Sequence, residues 1–216
     1  MNGLFEKDLR LILRRKMSVL FLFMILIIMG LSMDSLFLTG YGTAIFGFLT
    51  MGTVTCDEAD NGFSFLFTLP VTRKQYVTEK FLFAGAGTLA GWLISLMVAA
   101  AMSFIRNREN GIFDQIPENA AVLMVMLAVI AISTSVQMKF GVEKSRIVLL
   151  ISMGALFAAG MLVSKAAGTG TGRGYQTQSG GGPSDMVIFL MIAVASAVAV
   201  FIAYQWGVRI MKKKEF

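Results

Sequence analysis

The chain has 216 residues, a formal net charge of +6, a single cysteine and no histidine. The absence of histidine removes the usual general base and the usual zinc ligand, and one cysteine cannot form an internal disulfide. Apolar residues make up 56% of the chain and charged residues only 15%, and several apolar runs reach the roughly 18 residues of a membrane-spanning helix. We therefore predict an all-α polytopic membrane protein with no enzymatic site, no cofactor or metal of its own and no nucleic-acid partner.

Residues 2–16 have the pattern of an amphipathic helix. The apolar positions recur at helical spacing and are Phe5, Leu9, Ile12 and Leu13. Charged side chains occupy the other side, at Glu6, Lys7, Arg10 and Arg14. A helix of this kind lies flat in the headgroup region of a bilayer. The alternative is a basic tail that only fixes the orientation of the chain.

Six apolar segments follow, and each is predicted to span the membrane. Their approximate bounds are 17–38, 40–55, 81–105, 119–138, 147–164 and 186–208. The second is short, because its 16 residues cover only about 24 Å of a roughly 30 Å hydrocarbon core. With six spans and both termini in the cytosol, 15 of the 19 lysines and arginines lie on the inner side, as the positive-inside rule requires. Five spans would divide them almost evenly, so we expect six, with the second helix buried or extended by polar turns.

Two features within the spans bear on packing and transport. Gly87 and Gly91 form a GxxxG step in the third span, and small residues at this spacing let helices approach closely. Packing within one chain is favoured over a contact between two copies. Asp34 lies near the outer end of the first span, where an ionisable residue indicates either a role in translocation or a simple interfacial position.

Residues 56–80, between the second and third spans, form a long polar link in a chain with little polar sequence. The link is first acidic and then aromatic, with Asp57, Glu58, Asp60, Phe63, Phe65 and Phe67. Pro70 disfavours helix at Leu69, and Thr72 can cap a new helix that enters the third span. An apolar knob between charged rims suits a groove on a soluble protein, although aromatic side chains lying in the headgroup layer fit the pattern equally well.

The polar link resembles that of the small ABC-2 type permeases. In that family an acidic pair and an LP-x-[ST]-R-x-x-[YF]-[VI] stretch join the second and third spans. Here the pair is Asp57-Glu58, and the stretch is Leu69-Pro70-Val71-Thr72-Arg73-Lys74-Gln75-Tyr76-Val77, followed by Lys80. The amphipathic N-terminal segment, the six predicted spans and the chain length are also similar to the family.

The resemblance implies a half-transporter. Two permease chains would form a twelve-span unit, and two cytosolic ABC ATPase subunits, carrying ATP and Mg, would dock below it, because this chain has no nucleotide-binding domain. The residues implied in ATPase coupling are Asp57, Glu58, Asp60, Phe63, Phe65, Phe67, Leu69, Pro70, Arg73, Lys74 and Tyr76. A second inner loop, 139–146, would contribute Lys139, Phe140, Glu143 and Arg146.

The expected activity is ATP-driven export across the plasma membrane of a bacterium, with both termini in the cytosol. Within the family the chain is similar to permeases that export small amphipathic peptides, such as phenol-soluble modulins and bacteriocins. Amphipathic peptides or other hydrophobic molecules are therefore the expected cargo. The alternative is a membrane scaffold or immunity-type protein that sequesters a toxic peptide without ATP, and such a protein would not need the polar link.

Overall fold

The computed structural model describes residues 2–14, 16–32, 35–58, 63, 68, 72–105, 116–166 and 183–213, with the backbone alone for 142–166 and for a few positions at the start of the last helix. These ranges contain the helices α1 (Asn2–Arg14), α2 (Lys16–Ser32), α3 (Ser35–Glu58), α4 (Arg73–Ile105), α5 (Ile116–Ala166) and α6 (Pro183–Lys213). No strand occurs within them. The all-α prediction is confirmed for this part of the chain.

Among the described residues, four helical segments are long and apolar enough to cross a bilayer, and they are Ser35–Glu58, Arg73–Ile105, Ile116–Gly141 and Phe189–Lys213. α2 is also apolar but has only 17 residues. At a rise of about 1.5 Å per residue it covers about 26 Å, slightly less than a hydrocarbon core. The helices therefore support a polytopic membrane protein, whereas the six crossings and the interfacial position of α1 stay predictions.

α3 is longer than the sequence pattern suggests. It has 24 residues and extends beyond both ends of the predicted segment 40–55, and 11 of its residues are buried. Several of these are threonines whose hydroxyls donate to carbonyls of their own helix, as from Thr43 to Thr39 at 2.6 Å and from Thr50 to Gly47 at 2.8 Å. Because the hydroxyls are satisfied locally, a helix of polar composition can lie inside the bundle.

The close contact between α3 and α4 depends on glycine. A Cβ atom at Gly91 would overlap the side chain of Phe46 and lie 3.2 Å from the carbonyl oxygen of Gly42, and a Cβ atom at Gly87 would overlap Thr50. The GxxxG step therefore packs within one chain, as predicted. At Gly85, by contrast, a Cβ atom would have no neighbour within 4 Å.

Gly91→Ala is expected to lower the free energy of unfolding by about 1–3 kcal/mol, because the added methyl group must push α3 and α4 apart. Gly85→Ala is the matched control, since the same change meets open space there. It is expected to be neutral or to stabilise by up to about 1 kcal/mol through better helix propensity. Equilibrium unfolding in mixed micelles measures both variants, and equal effects at the two positions would contradict the tight packing of α3 on α4.

α5 continues through the segment predicted as the second inner loop. The helix departs from helical backbone values at Gly141, where φ is 76° and ψ is −179°. The predicted spans 119–138 and 147–164 therefore lie on two helical arms that meet at a kink at Gly141, and the residues of the expected loop 139–146 are helical on both sides of this glycine. Glycine is required at the bend because this backbone region is open almost only to glycine.

Side chains from five helices meet at one end of the bundle, which we call the junction end. Its buried apolar core consists of Leu4, Val54, Phe63, Tyr76, Val77, Met138 and Met211. These residues come from every helix except α2, and Phe63 comes from the polar link. Elsewhere in the bundle, α2 packs against α3 and α4 through Leu26, Leu38 and Ala99. Phe63 and Tyr76 of the polar link and Met138 beside the bend of α5 all lie in this core, so one core positions the described candidate residues of both segments.

Candidate functional site

Four charged side chains close a ring at the junction end, which we call the ionic ring: Lys7, Asp57, Lys80 and Asp8. Lys7 Nζ donates to Asp57 Oδ1 at 2.5 Å and lies 3.3 Å from Asp8 Oδ1. Lys80 Nζ lies 2.7 Å from Asp57 Oδ2 and donates to Asp8 Oδ2. Positive and negative groups therefore alternate around the ring, and each carboxylate contacts both ammonium groups.

The ring joins three helices that are far apart in sequence. α1 supplies one lysine and one aspartate, α3 supplies Asp57 at its end, and α4 supplies Lys80. Two hydroxyls add to it, because Thr53 donates to Asp8 Oδ2 at 3.0 Å and Tyr76 donates to Asp57 Oδ2 at 3.1 Å. The side chains of Asp8 and Lys80 are only 0% and 1% exposed. Charges buried to this degree are tolerated only when they are paired and hydrogen-bonded.

Lys7 lies at the accessible edge of the ring, with 34% of its side chain exposed. Burial lowers the pKa of its ammonium group, but the hydrogen bond and charge of Asp57, together with Asp8, outweigh burial and hold this pKa above its ordinary value. Glu79 adds a third buried carboxylate, 4.0 Å from Lys80 Nζ and without a hydrogen-bond partner in the described ranges. Removing either lysine would leave Asp8 and Asp57 to share one ammonium group, so buried negative charge would be left uncompensated.

α4 begins with a reciprocal pair of hydrogen bonds. The backbone N–H of Thr72 donates to Gln75 Oε1 at 3.0 Å, and the backbone N–H of Gln75 donates to Thr72 Oγ1 at 3.2 Å. This arrangement is a capping box, and it confirms Thr72 as the cap of the helix. One turn later Tyr76 is buried, and its ring meets that of Phe63 edge-on at a centroid distance of 5.7 Å. The cap therefore fixes how α4 leaves the polar link and enters the core.

Arg73 ties the first turn of α4 to the end of α6. Its Nη1 atom donates to the carbonyl oxygens of Met211 at 3.3 Å and Lys212 at 2.9 Å. Carbonyl groups at the end of a helix have no partner within that helix, and a guanidinium there also complements the helix dipole. In this arrangement Arg73 caps α6.

The end of α3 also contacts the bend in α5. Gln137 Nε2 donates to Thr55 Oγ1 at 2.6 Å, and Glu58 Oε1 lies 2.9 Å from the position that a Cβ atom would take on Gly141. A carboxylate at this point lies at the start of the helical arm after the bend, where negative charge is favourable. The acidic pair and the second inner segment, which are separate candidates in the sequence, are therefore in direct contact.

The structure places the predicted coupling residues in two different environments. Asp57, Phe63 and Tyr76 are buried, whereas Lys74 is exposed at the start of α4. An acidic rim open to another protein is therefore incorrect for Asp57, because its carboxylate binds both lysines of the ionic ring. The other predicted positions of the link and the first span lie outside the described residues and are Asp34, Asp60, Phe65, Phe67, Leu69 and Pro70.

The second inner segment is accessible where its side chains are described. Lys139 and Phe140 are exposed, and the ammonium group of Lys139 lies 4.8 Å from the ring centre of Phe140. The side chains of Glu143 and Arg146 lie outside the described residues. Of the predicted contact residues whose side chains the structure describes, Lys74, Lys139 and Phe140 are thus the exposed ones.

The sequence pattern of α1 assigns Lys7 to a solvated face and gives Asp8 no role, so it misses half of the ionic ring. In the structure Leu4 and Asp8 are one helical turn apart, and both are buried against the bundle. The predicted apolar face is instead largely exposed, at Phe5, Leu9 and Leu13.

The comparison with known families agrees with this architecture. A sequence profile of ABC-2 family transporter proteins matches residues 3–212. No curated protein and no solved structure is significantly similar to the chain. Because the profile covers all six described helices almost completely, the protein belongs to the ABC-2 family of transporter proteins, whose members are membrane components of transport and not themselves the ATPase.

Proposed function

We propose that this chain is the permease subunit of an ABC transporter and that a separate ATPase acts on it through the junction end. The observation that carries the proposal is the ionic ring. Asp57 and Lys80 lie at the two ends of the polar link, and both are ion-paired to α1. A link held at both ends by buried charges cannot shift without moving three helices. Membership of the ABC-2 family supports the transport role.

A displacement of the polar link would reach the rest of the bundle through specific contacts. The ionic ring carries it to α1, α3 and α4, Arg73 carries it to the end of α6, and Glu58 carries it to the bend of α5. The ATPase drives such a displacement only by binding one arrangement of the permease more tightly than the other. ATP and Mg belong to that partner in this proposal.

The proposed assembly contains two copies of the chain and two ATPase subunits in the plasma membrane of a bacterium. Each chain crosses six times, with both termini in the cytosol, and exports amphipathic peptides or other hydrophobic molecules. Large apolar side chains are exposed on α2 and α6, for example at Phe21, Met24, Phe201 and Ile202. Such surfaces fit lipid, a second copy of the chain or an apolar cargo.

Lys74→Glu is expected to weaken association with a co-expressed ABC ATPase about tenfold, because a charge reversal at the rim of an interface replaces attraction by repulsion. Lys74 suits this test because it is the exposed cation of the motif and has no ion pair among the residues described. Co-purification of the full-length chain with its ATPase measures the effect. Lys16→Glu, the same charge change at an exposed position on α2, is the matched control.

Unchanged association of the Lys74 variant would contradict coupling through the start of α4. An equal loss in both variants would show a general effect of charge and would also count against the assignment. Protection of cells from a toxic peptide that persists when every ABC ATPase is absent would instead favour the sequestering protein over the transporter.

A further inference from the structure

One face of α6 is exposed along the whole described length of the helix. Its residues follow at helical spacing and are Val187, Met191, Val198, Ile202, Trp206, Arg209 and Lys213. The opposite face is buried and contains Ser196, Ala203, Gly207 and Met211. Along the exposed face the side chains change in order from aliphatic to tryptophan to arginine and lysine.

The length of the aliphatic part matches a bilayer. From Val187 to Trp206 the helix rises about 29 Å at about 1.5 Å per residue, close to the roughly 30 Å of a hydrocarbon core. Tryptophan is enriched at the boundary between hydrocarbon and headgroups, and basic residues lie beyond it on the cytoplasmic side. If α6 spans the membrane, Trp206 therefore lies at that boundary, and Arg209 lies one turn further out at the level of the lipid phosphates.

α5 adds a cation to this point of the surface. The Lys139 ammonium group lies 5.3 Å from the ring centre of Trp206 and 4.8 Å from that of Phe140. The two rings are 38% and 44% exposed, so the cation is supported by aromatic faces that are themselves accessible. Ser135 Oγ donates to the Ala203 carbonyl at 2.7 Å and fixes the two helices beside each other. Lys139 and Arg209 make no ion pair with any carboxylate in the described ranges.

The geometry points to a binding site for an anionic phospholipid, with its phosphate headgroup between Lys139 and Arg209 and its acyl chain along Val198 and Ile202. A lipid is favoured over a protein partner because the two cations continue the aliphatic face directly, with Trp206 between them. Each basic residue near a membrane surface attracts anionic lipid, and neither of these cations has a carboxylate partner among the described residues that would offset the attraction. The inference requires only that α6 crosses the membrane, and it does not depend on the ATPase coupling proposed above.

The test uses the full-length protein in mild detergent with added phosphatidylglycerol or phosphatidylcholine, examined by native mass spectrometry. We expect one phosphatidylglycerol per chain to be retained preferentially, and Lys139→Gln with Arg209→Gln to weaken that retention at least tenfold. Lys139→Arg with Arg209→Lys keeps both charges and is expected to retain the lipid. Arg14→Gln with Lys16→Gln removes two exposed cations elsewhere and serves as the matched control.

Three outcomes would overturn the site. Wild-type protein could show no preference for the anionic lipid over the zwitterionic one. Both neutralised pairs could lose the lipid equally, which would show attraction to net charge and no defined site. The Lys139 and Arg209 pair of substitutions could leave lipid retention intact while abolishing association with the ATPase, which would assign this face to the protein partner.

Discussion

Lys80→Met is expected to destabilise the protein by about 3–5 kcal/mol, the cost of removing one partner from a buried ion pair. The Lys80 side chain is only 1% exposed and contacts the carboxylates of Asp8 and Asp57. Methionine keeps most of the volume and apolar length of lysine, so the loss reports the charge and not a cavity. The remaining carboxylates would share only Lys7. Equilibrium unfolding in mixed micelles gives the free energy.

Lys7→Met is the control for this change. Lys7 contacts the same two aspartates, but 34% of its side chain is exposed, so water compensates part of the lost charge. We expect a smaller destabilisation than at Lys80.

A second comparison combines Asp8→Asn with Lys80→Met. The double variant is expected to lose at least about 1 kcal/mol less unfolding free energy than the sum of the two single losses, because the two groups are direct partners. Strict additivity would contradict the ring.

Cys56 gives an independent measure of whether α1 stays in place. It is the chain's single cysteine, and it lines a small cavity between α1 and α3 together with Leu11 and Ile12. If the ring holds α1 against the bundle, Lys80→Met should increase the rate at which a thiol reagent labels Cys56, under conditions where the protein is still folded. An unchanged rate would mean that the apolar contacts of α1 hold it without the ring.

The sequence predicts those features of the fold that depend on local pattern. The apolar runs identify the membrane helices, Thr72 as a cap after Pro70 marks the start of α4, and the Gly87–Gly91 spacing predicts a close helix contact. Each of these depends on residues within one or two helical turns. The same locality explains why the start of α4 is predicted correctly although most of the link before it lies outside the described residues.

The sequence does not predict features that depend on distant partners. Asp8 and Lys80 are 72 residues apart, so no local pattern distinguishes Asp8 from a solvated acidic residue. Asp57 is expected to be exposed because its neighbours in sequence are polar, yet two lysines and a tyrosine hold it inside. The bend at Gly141 is equally hidden, because a glycine inside an apolar segment does not reveal its φ angle.

Gly141→Ala is expected to lower the free energy of unfolding by about 1–3 kcal/mol through backbone strain alone, since φ of 76° with ψ of −179° is open almost only to glycine. A second cost arises because the new methyl group would lie 2.9 Å from Glu58 Oε1, and one of the two must move. Gly85→Ala is the control, because the same substitution there lies in an ordinary helix with open space around it. Unfolding midpoints of both variants in the same micelles make the comparison.

The two costs at Gly141 can be separated by shortening Glu58. In a Glu58→Ala background the methyl group at residue 141 meets no carboxylate of Glu58, so the added loss of unfolding free energy from Gly141→Ala should fall to the backbone strain alone.

If transport depends on contact between the polar link and α5, Glu58→Ala should also reduce ATPase stimulation by the permease while leaving its association with the ATPase intact. An undiminished stimulation would show that α3 and the bend of α5 move independently. A Gly141→Ala loss equal to that of the Gly85 control would show that the bend relaxes into a straight helix at no cost, and neither arm of α5 would then be held by the end of α3.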